Sequence, residues 1–108
     1  MDLTDLQTVL ERVHAQAASE NLRVTQHAQQ EMVEEDVLLD EVLDAIASGE
    51  IIENYPEHRR GACCLLSGIT QNGRPIHVVC TTAQPVLIII TVYEPRPPKW
   101  STPTQRSR

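Results

Sequence analysis

Asn72-Gly73 constrains the folding of this chain more than any other pair of residues. It joins two apolar runs, Ala62–Thr70 and Pro75–Cys80, and Asn-Gly between such runs is the strongest short-range signal for a β-hairpin. A two-residue type I′ turn pairs Gln71 with Arg74, and the alternation of side chains across the pleat then sets the register residue by residue. Cys63, Leu65, Ser67 and Ile69 are predicted to share a face with Ile76, Val78 and Cys80. Leu66 and Gly68 are predicted to share the other with His77 and Val79, with Gly68 opposite His77. A glycine there leaves open space above the imidazole, which suits a ligand better than a packed core. A further apolar run, Val86–Val92, ends in Tyr93-Glu94-Pro95. The turn near Thr82–Pro85 leaves two arrangements open. A three-residue loop sets Thr91 opposite His77 with Tyr93 close by, and a two-residue loop does not.

Upstream of the hairpin the periodicity changes from two to near 3.6. Leu3, Leu6, Leu10, Val13 and Ala17 recur at helical spacing and predict an amphipathic first helix, interrupted by Ser19–Asn21. Leu22-Arg23-Val24 reads as a short extended piece. Thr25 is a suitable N-cap for a second helix, Gln26–Glu34, with Ala28 and Met32 as its buried stripe. His27 then falls in the first turn, where the helix dipole disfavours imidazolium. In the third helix Leu39, Val42, Leu43 and Ile46 form the apolar face, Asp40, Glu41 and Asp44 point outward, and Gly49 is the stop. Glu50–Tyr55 reads as a strand, with Ile51, Glu53 and Tyr55 on one face and Glu50, Ile52 and Asn54 on the other. Pro56–Gly61 is a basic loop. Pro95, Pro97, Pro98 and Pro103 interrupt regular structure. The expected architecture is one α+β domain over residues 1–100, with three N-terminal helices packed on a mostly antiparallel sheet of about four strands. Residues 101–108 are expected to be a flexible basic tail.

A chain of 108 residues can build one modest core. That core must be aliphatic, because phenylalanine is absent and Tyr55, Tyr93 and Trp100 are the only aromatic residues. The sequence shows no leader and no apolar run long enough to span a bilayer, so a cytoplasmic protein without membrane attachment is expected. Cys63 and Cys64 are adjacent and alternate across a strand, so they cannot reach one metal together. Reduced, packed thiols are expected rather than a zinc site, and no cofactor is implied. Charge divides the chain in two. Residues 1–54 carry 13 acidic side chains against Arg12 and Arg23, whereas residues 55–108 carry Glu57 and Glu94 against seven basic groups. The overall charge of −6 therefore does not exclude an anionic ligand on the second half.

His77 is the one mid-sheet group able to move a proton near neutral pH; as a packed histidine it would bond Tyr93 or a backbone carbonyl. Tyr93 can donate a proton or anchor the edge of the core. Arg74 and Lys99 are candidate phosphate ligands, Trp100 can stack on a base or cover the end of the sheet, and Glu53 and Glu94 can orient a histidine.

Four ordered segments carry a resemblance: Thr25-x-His27-Ala28-x-x-Glu31-Met32, Ala45-Ile46-x-x-Gly49-Glu50-Ile51-Ile52-Glu53-x-Tyr55-Pro56, Gly73-Arg74-Pro75-Ile76-His77-Val78-Val79, and Ile90-Thr91-x-Tyr93-Glu94-Pro95 with Lys99-Trp100. Together they resemble a small bacterial family of a domain of unknown function that is related by pattern to RelE-like and BrnT-like toxins. The resemblance implies the α+β fold of RelE-like and barnase-like ribonucleases and a toxin partnered by a DNA-binding antitoxin. It departs at Glu31, where the family pattern carries arginine. A glutamate there repels RNA, which points to a diverged or inactive member.

Two functions are expected from different classes. In the first, a metal-independent endoribonuclease, His77 or His27 takes the 2′-hydroxyl proton, the other histidine or Tyr93 protonates the leaving oxygen, and Arg74 and Lys99 neutralise phosphate. In the second, a non-catalytic module binds a basic protein through the acidic helices. RNA and an antitoxin or another protein are the expected partners, and the oligomeric state stays open.

Overall fold

In the computed structural model, which describes residues 2–107, the chain forms three helices and two sheets. α1 spans Leu6–Ala18, β1 Leu22–Val24, α2 Gln26–Glu35 and α3 Leu39–Ser48. β2 spans Glu50–Tyr55, β3 Cys63–Ile69, β4 Pro75–Thr81 and β5 Leu87–Tyr93. The main sheet is ordered β1-β5-β4-β3-β2, with β1 parallel to β5 and the other neighbours antiparallel. The α+β class agrees with the sequence pattern, and the short β1 adds a fifth strand along β5. No helix among the described residues is long and apolar enough to cross a membrane.

Capping begins the first two helices. Asp5 accepts from Gln7 N–H at 3.2 Å, and Thr25 Oγ1 accepts from Ala28 N–H at 3.1 Å. Because α1 starts at Leu6, Leu3 precedes it, and the buried stripe is Val9, Val13 and Ala17 rather than the leucines at 3 and 6. In α3 the buried positions are Val42, Ala45 and Ile46, while Leu39 stays exposed. These side chains and Ala28 of α2 form one core with Cys64, Leu66, Ile76, Val78, Ile89 and Val92 of the sheet. Burying aliphatic surface of this kind contributes about 25 cal/mol per Å².

The hairpin signal located the turn, but its length differs from the prediction. Thr70 N–H donates to Arg74 O and Gly73 N–H to Thr70 O, each at 2.9 Å, so Gln71–Gly73 is a three-residue loop. Gly73 has φ +82, whereas Asn72 has no positive φ, and a type I′ turn needs both central residues there. One extra residue shifts the pairing by one and exchanges the faces of β3. Ser67, not Gly68, lies opposite His77, and Gly68 lies opposite Ile76 on the core face. There a Cβ on Gly68 would come 1.8 Å from the Ala45 carbonyl oxygen. Close approach of α3, rather than room for a ligand, is what the glycine provides.

Two bulges alter the other strands. β2 slips between Ile51 and Glu53, which removes Ile52 from the ladder and puts Glu53 and Tyr55 on the face opposite Ile51. β4 and β5 slip at Val79 and Cys80, and Tyr93, not Thr91, lies opposite His77. The connection from β4 to β5 covers residues 82–86, longer than either loop considered from sequence. Arg12 of α1 holds it by donating to Thr82 O at 2.9 Å and Gln84 O at 2.7 Å. Beyond Pro98, where residues 101–108 were expected to be a flexible tail, β6 (Trp100–Thr102) and β7 (Gln105–Arg106) form a short hairpin with Pro103 in its turn.

The two glycines should respond differently to alanine. Gly68→Ala must displace the backbone of α3 and should cost about 3 kcal/mol or more, and Gly73→Ala, strained but in open space, about 1 kcal/mol. Urea denaturation followed by circular dichroism measures both; equal losses would contradict the close approach of α3.

Candidate functional site

Half-buried and buried polar groups gather on the sheet face opposite the helices. His77 stands there in the middle of β4 and is fully buried, so it does not look out over an open hollow. The β6–β7 hairpin covers it. Trp100 sits edge-on to the imidazole with ring centroids 4.4 Å apart, and Tyr93 does the same from β5 at 5.2 Å. Trp100 is itself only 2% exposed, so in this conformation it covers the sheet and cannot stack on a base. Its indole N–H is buried without a hydrogen-bond partner among the described residues.

The hydrogen bonds of His77 fix its tautomer. Nε2 bonds the Pro103 carbonyl oxygen, which can only accept, so Nε2 carries the proton. Nδ1 then accepts from the Tyr93 hydroxyl at 3.1 Å. Ser67 Oγ donates to the same carbonyl at 3.3 Å. The hairpin is clamped from its far end: Arg106 lies 4.6 Å above the Trp100 ring and donates to Glu53 Oε1 at 2.8 Å. Tyr55 donates to the same carboxylate. Glu53 therefore anchors the hairpin rather than bonding a histidine, and β2 can aim it there because the bulge at Ile52 reversed its face.

Burial lowers the His77 pKa from its ordinary value of 6.5, opposed by the Pro103 carbonyl and the negative charge of Glu53. Burial likewise raises that of the Tyr93 phenol, which stays protonated at neutral pH. Glu53 is held below the usual carboxylate range by the Arg106 guanidinium, against a smaller cost of burial. The arrangement is a neutral imidazole hydrogen-bonded to a neutral phenol. Among the described residues, no three His, Cys, Asp or Glu side chains converge where a metal ion could sit.

The other sequence candidates lie apart from this group. His27 is exposed on α2, 3.2 Å from Glu31 Oε1. Arg74 is fully engaged: it pairs with Glu94 at 2.6 Å and donates to the carbonyls of Glu35 and Asp36 at the end of α2. It ties the start of β4 to that helix and leaves no free fork for phosphate. Glu94 is occupied with Arg74 and Arg96. Lys99 is exposed, with Nζ 6.0 Å from the Tyr93 ring centroid, and is the cation near the site without an ion pair among the described residues.

Glu31, expected from sequence to mark a departure from the resembled pattern, has a structural partner. β1 ends at Val24, so β5 beyond Ile89 has no neighbouring strand on that side. Glu31 Oε1 accepts from Val92 N–H at 3.0 Å, and Glu35 Oε1 from Glu94 N–H at 3.1 Å. Two carboxylates of α2 thus take the place of strand carbonyls along an open edge. Neither this role nor those of Ser67, Pro103 and Arg106 has a local sequence signal; each arises from contacts more than 25 positions apart in the chain.

Two measurements check this geometry. Because the neutral imidazole is favoured on folding, His77 contributes stability that is present above pH 6.5 and lost as pH falls toward its lower folded-state pKa. The midpoint of thermal unfolding should drop between about pH 7.5 and about pH 5, and His77→Gln should flatten that slope. Trp100 is the only tryptophan, so its emission reports the hairpin. Arg106→Ala should shift that emission to longer wavelength while leaving far-ultraviolet dichroism unchanged; an unmoved spectrum would show that the clamp does not hold the hairpin down.

The family model of a domain of unknown function (DUF4258) matches residues 24–94, from the end of β1 to the end of β5. No curated protein and no solved structure matches the chain. The matched segment includes α2, α3, β2, β3, β4 and β5, with His77 and Tyr93, whereas α1 and the β6–β7 hairpin lie outside it. With about two thirds of its length matched, the chain belongs to the DUF4258 family of domains of unknown function.

Proposed function

We propose that this is a toxin-type endoribonuclease of the RelE-like or barnase-like class, held in a covered state by its own C-terminal hairpin. One observation carries the reading: a buried histidine and a half-buried tyrosine are hydrogen-bonded at 3.1 Å on the sheet face that no helix occupies. Both belong to the part of the chain that matches the family, and the segment covering them does not.

The chemistry follows from the two side chains. With the hairpin lifted, Pro103 leaves Nε2, and the imidazole can hold its proton on Nδ1, donating to Tyr93 Oη. Nε2 then takes the proton of an RNA 2′-hydroxyl as its oxygen bonds to phosphorus. The bond from phosphorus to the 5′-oxygen breaks, and Tyr93 gives its proton to that oxygen. The products are a 2′,3′-cyclic phosphate and a 5′-hydroxyl. Imidazolium and phenolate remain 3.1 Å apart, and passage of the Nδ1 proton to Tyr93 restores both groups. Lys99 supplies the positive charge beside the phosphate; Arg74, committed to Glu94, does not. Tyr93 replaces His27 as the proton donor, because His27 contacts Glu31 and not this pair.

Incubation of a structured RNA with the protein in EDTA tests the reading. Cleavage should leave 2′,3′-cyclic phosphate ends and increase with Arg106→Ala, which loosens the hairpin. His77→Ala and Tyr93→Phe should each reduce it by about 10² or more. Cleavage at an unaltered rate by His77→Ala, or its absence in the Arg106→Ala protein, would overturn the assignment.

A further inference from the structure

On the opposite side of the molecule, α2 and α3 leave an apolar groove open between them. It has a volume of about 450 Å³ and is lined chiefly by Met32, Val33, Val37, Leu38 and Leu39, with Asp36 at its edge. Val33 is 82% exposed, Leu38 67% and Leu39 42%, so half of the large hydrophobic residues exposed among those described meet in this one place. Isolated exposed hydrophobic residues are ordinary, but a contiguous concave group of them marks a contact surface. Leu38 also stands at the N-cap of α3, where Ser, Thr, Asp or Asn would stabilise the helix. Its amide is instead satisfied by the Glu41 carboxylate at 3.0 Å, which leaves the leucine side chain extended into solvent.

Charge identifies the kind of occupant. Between Arg23 and Arg59 the chain has no lysine or arginine and ten acidic residues. Of these, Asp36 lines the groove, and Glu34 and Asp40, next in sequence to the lining residues Val33 and Leu39, are exposed. We infer that the α2–α3 groove is a docking site for a lysine- or arginine-rich amphipathic helix of another protein. The apolar stripe of that helix would cover Val33, Leu38 and Leu39, and its flanking cations would meet Glu34, Asp36 and Asp40. A second copy of this chain cannot supply such a helix. Of lysine and arginine, α1 contains Arg12 alone, and α2 and α3 contain neither. The inference is independent of the His77 site, which lies on the other face of the sheet.

A designed peptide serves as the probe: leucine at positions i, i+3, i+4 and i+7 of each two-turn repeat, and lysine elsewhere. Binding to the intact chain is followed by fluorescence anisotropy. Val33→Asp and Leu38→Asp should each weaken it tenfold or more while the thermal unfolding midpoint stays within a few degrees of the parent. Asp36→Asn with Asp40→Asn should weaken it and reduce its dependence on salt. A scrambled peptide of the same composition should bind at least tenfold less tightly. The inference is overturned if the scrambled peptide or its glutamate counterpart binds equally, or if the groove substitutions leave binding unchanged. It is also overturned if sedimentation shows a dimer of this chain that Leu38→Asp dissociates.

Discussion

The backbone of α3 rests directly on β3 where Gly68 has no side chain, with the Ala45 carbonyl where a Cβ would stand. That approach fixes which face of β3 is turned toward the helices, and the pairing of β3 with β4 carries the choice to the next strand. Ile76, Val78 and Cys80 are thereby committed to the core, and His77 to the other face. A slip of one residue in this ladder would put the imidazole among aliphatic side chains and Ile76 under the hairpin. The position of the candidate site is thus a consequence of a packing contact on the far side of the sheet.

The polar face is then assembled by long-range contacts. The bulge at Ile52 turns Glu53 toward it, the alignment of β5 brings Tyr93 opposite His77, and the hairpin adds Trp100, Pro103 and Arg106. A charge-assisted pair on a partly exposed surface contributes modestly by itself. Here it works together with Trp100, whose burial over His77 supplies the apolar part of the contact. The covering segment lies outside the family match, while the pair it covers lies inside it.

Much of the fold is legible in the residues, and the errors have local causes. Thr25 reads correctly as a cap, the stripe of α3 is mostly right, and Asn72-Gly73 marks the reversal. What the dipeptide does not reveal is that only Gly73 adopts the left-handed conformation; this lengthens the loop by one residue and exchanges the faces of β3. The bulges in β2 and β5 are invisible in an alternating pattern for the same reason, since each spends one residue outside the ladder. The site was legible only in part. His77, Tyr93 and Trp100 do meet, but Arg74 is taken up by the end of α2 and His27 by Glu31. Those engagements depend on partners brought near by the fold, which no spacing rule within a single element can report.

The two glutamates along β5 have a further consequence. A strand whose amides are unpaired invites a strand from another molecule, and repeated addition of that kind builds fibres. By occupying the amides of Val92 and Glu94, Glu31 and Glu35 act as an intramolecular stopper against polymerisation. An arginine at position 31 cannot accept from an amide, so a relative carrying one must close this margin of the sheet by other means.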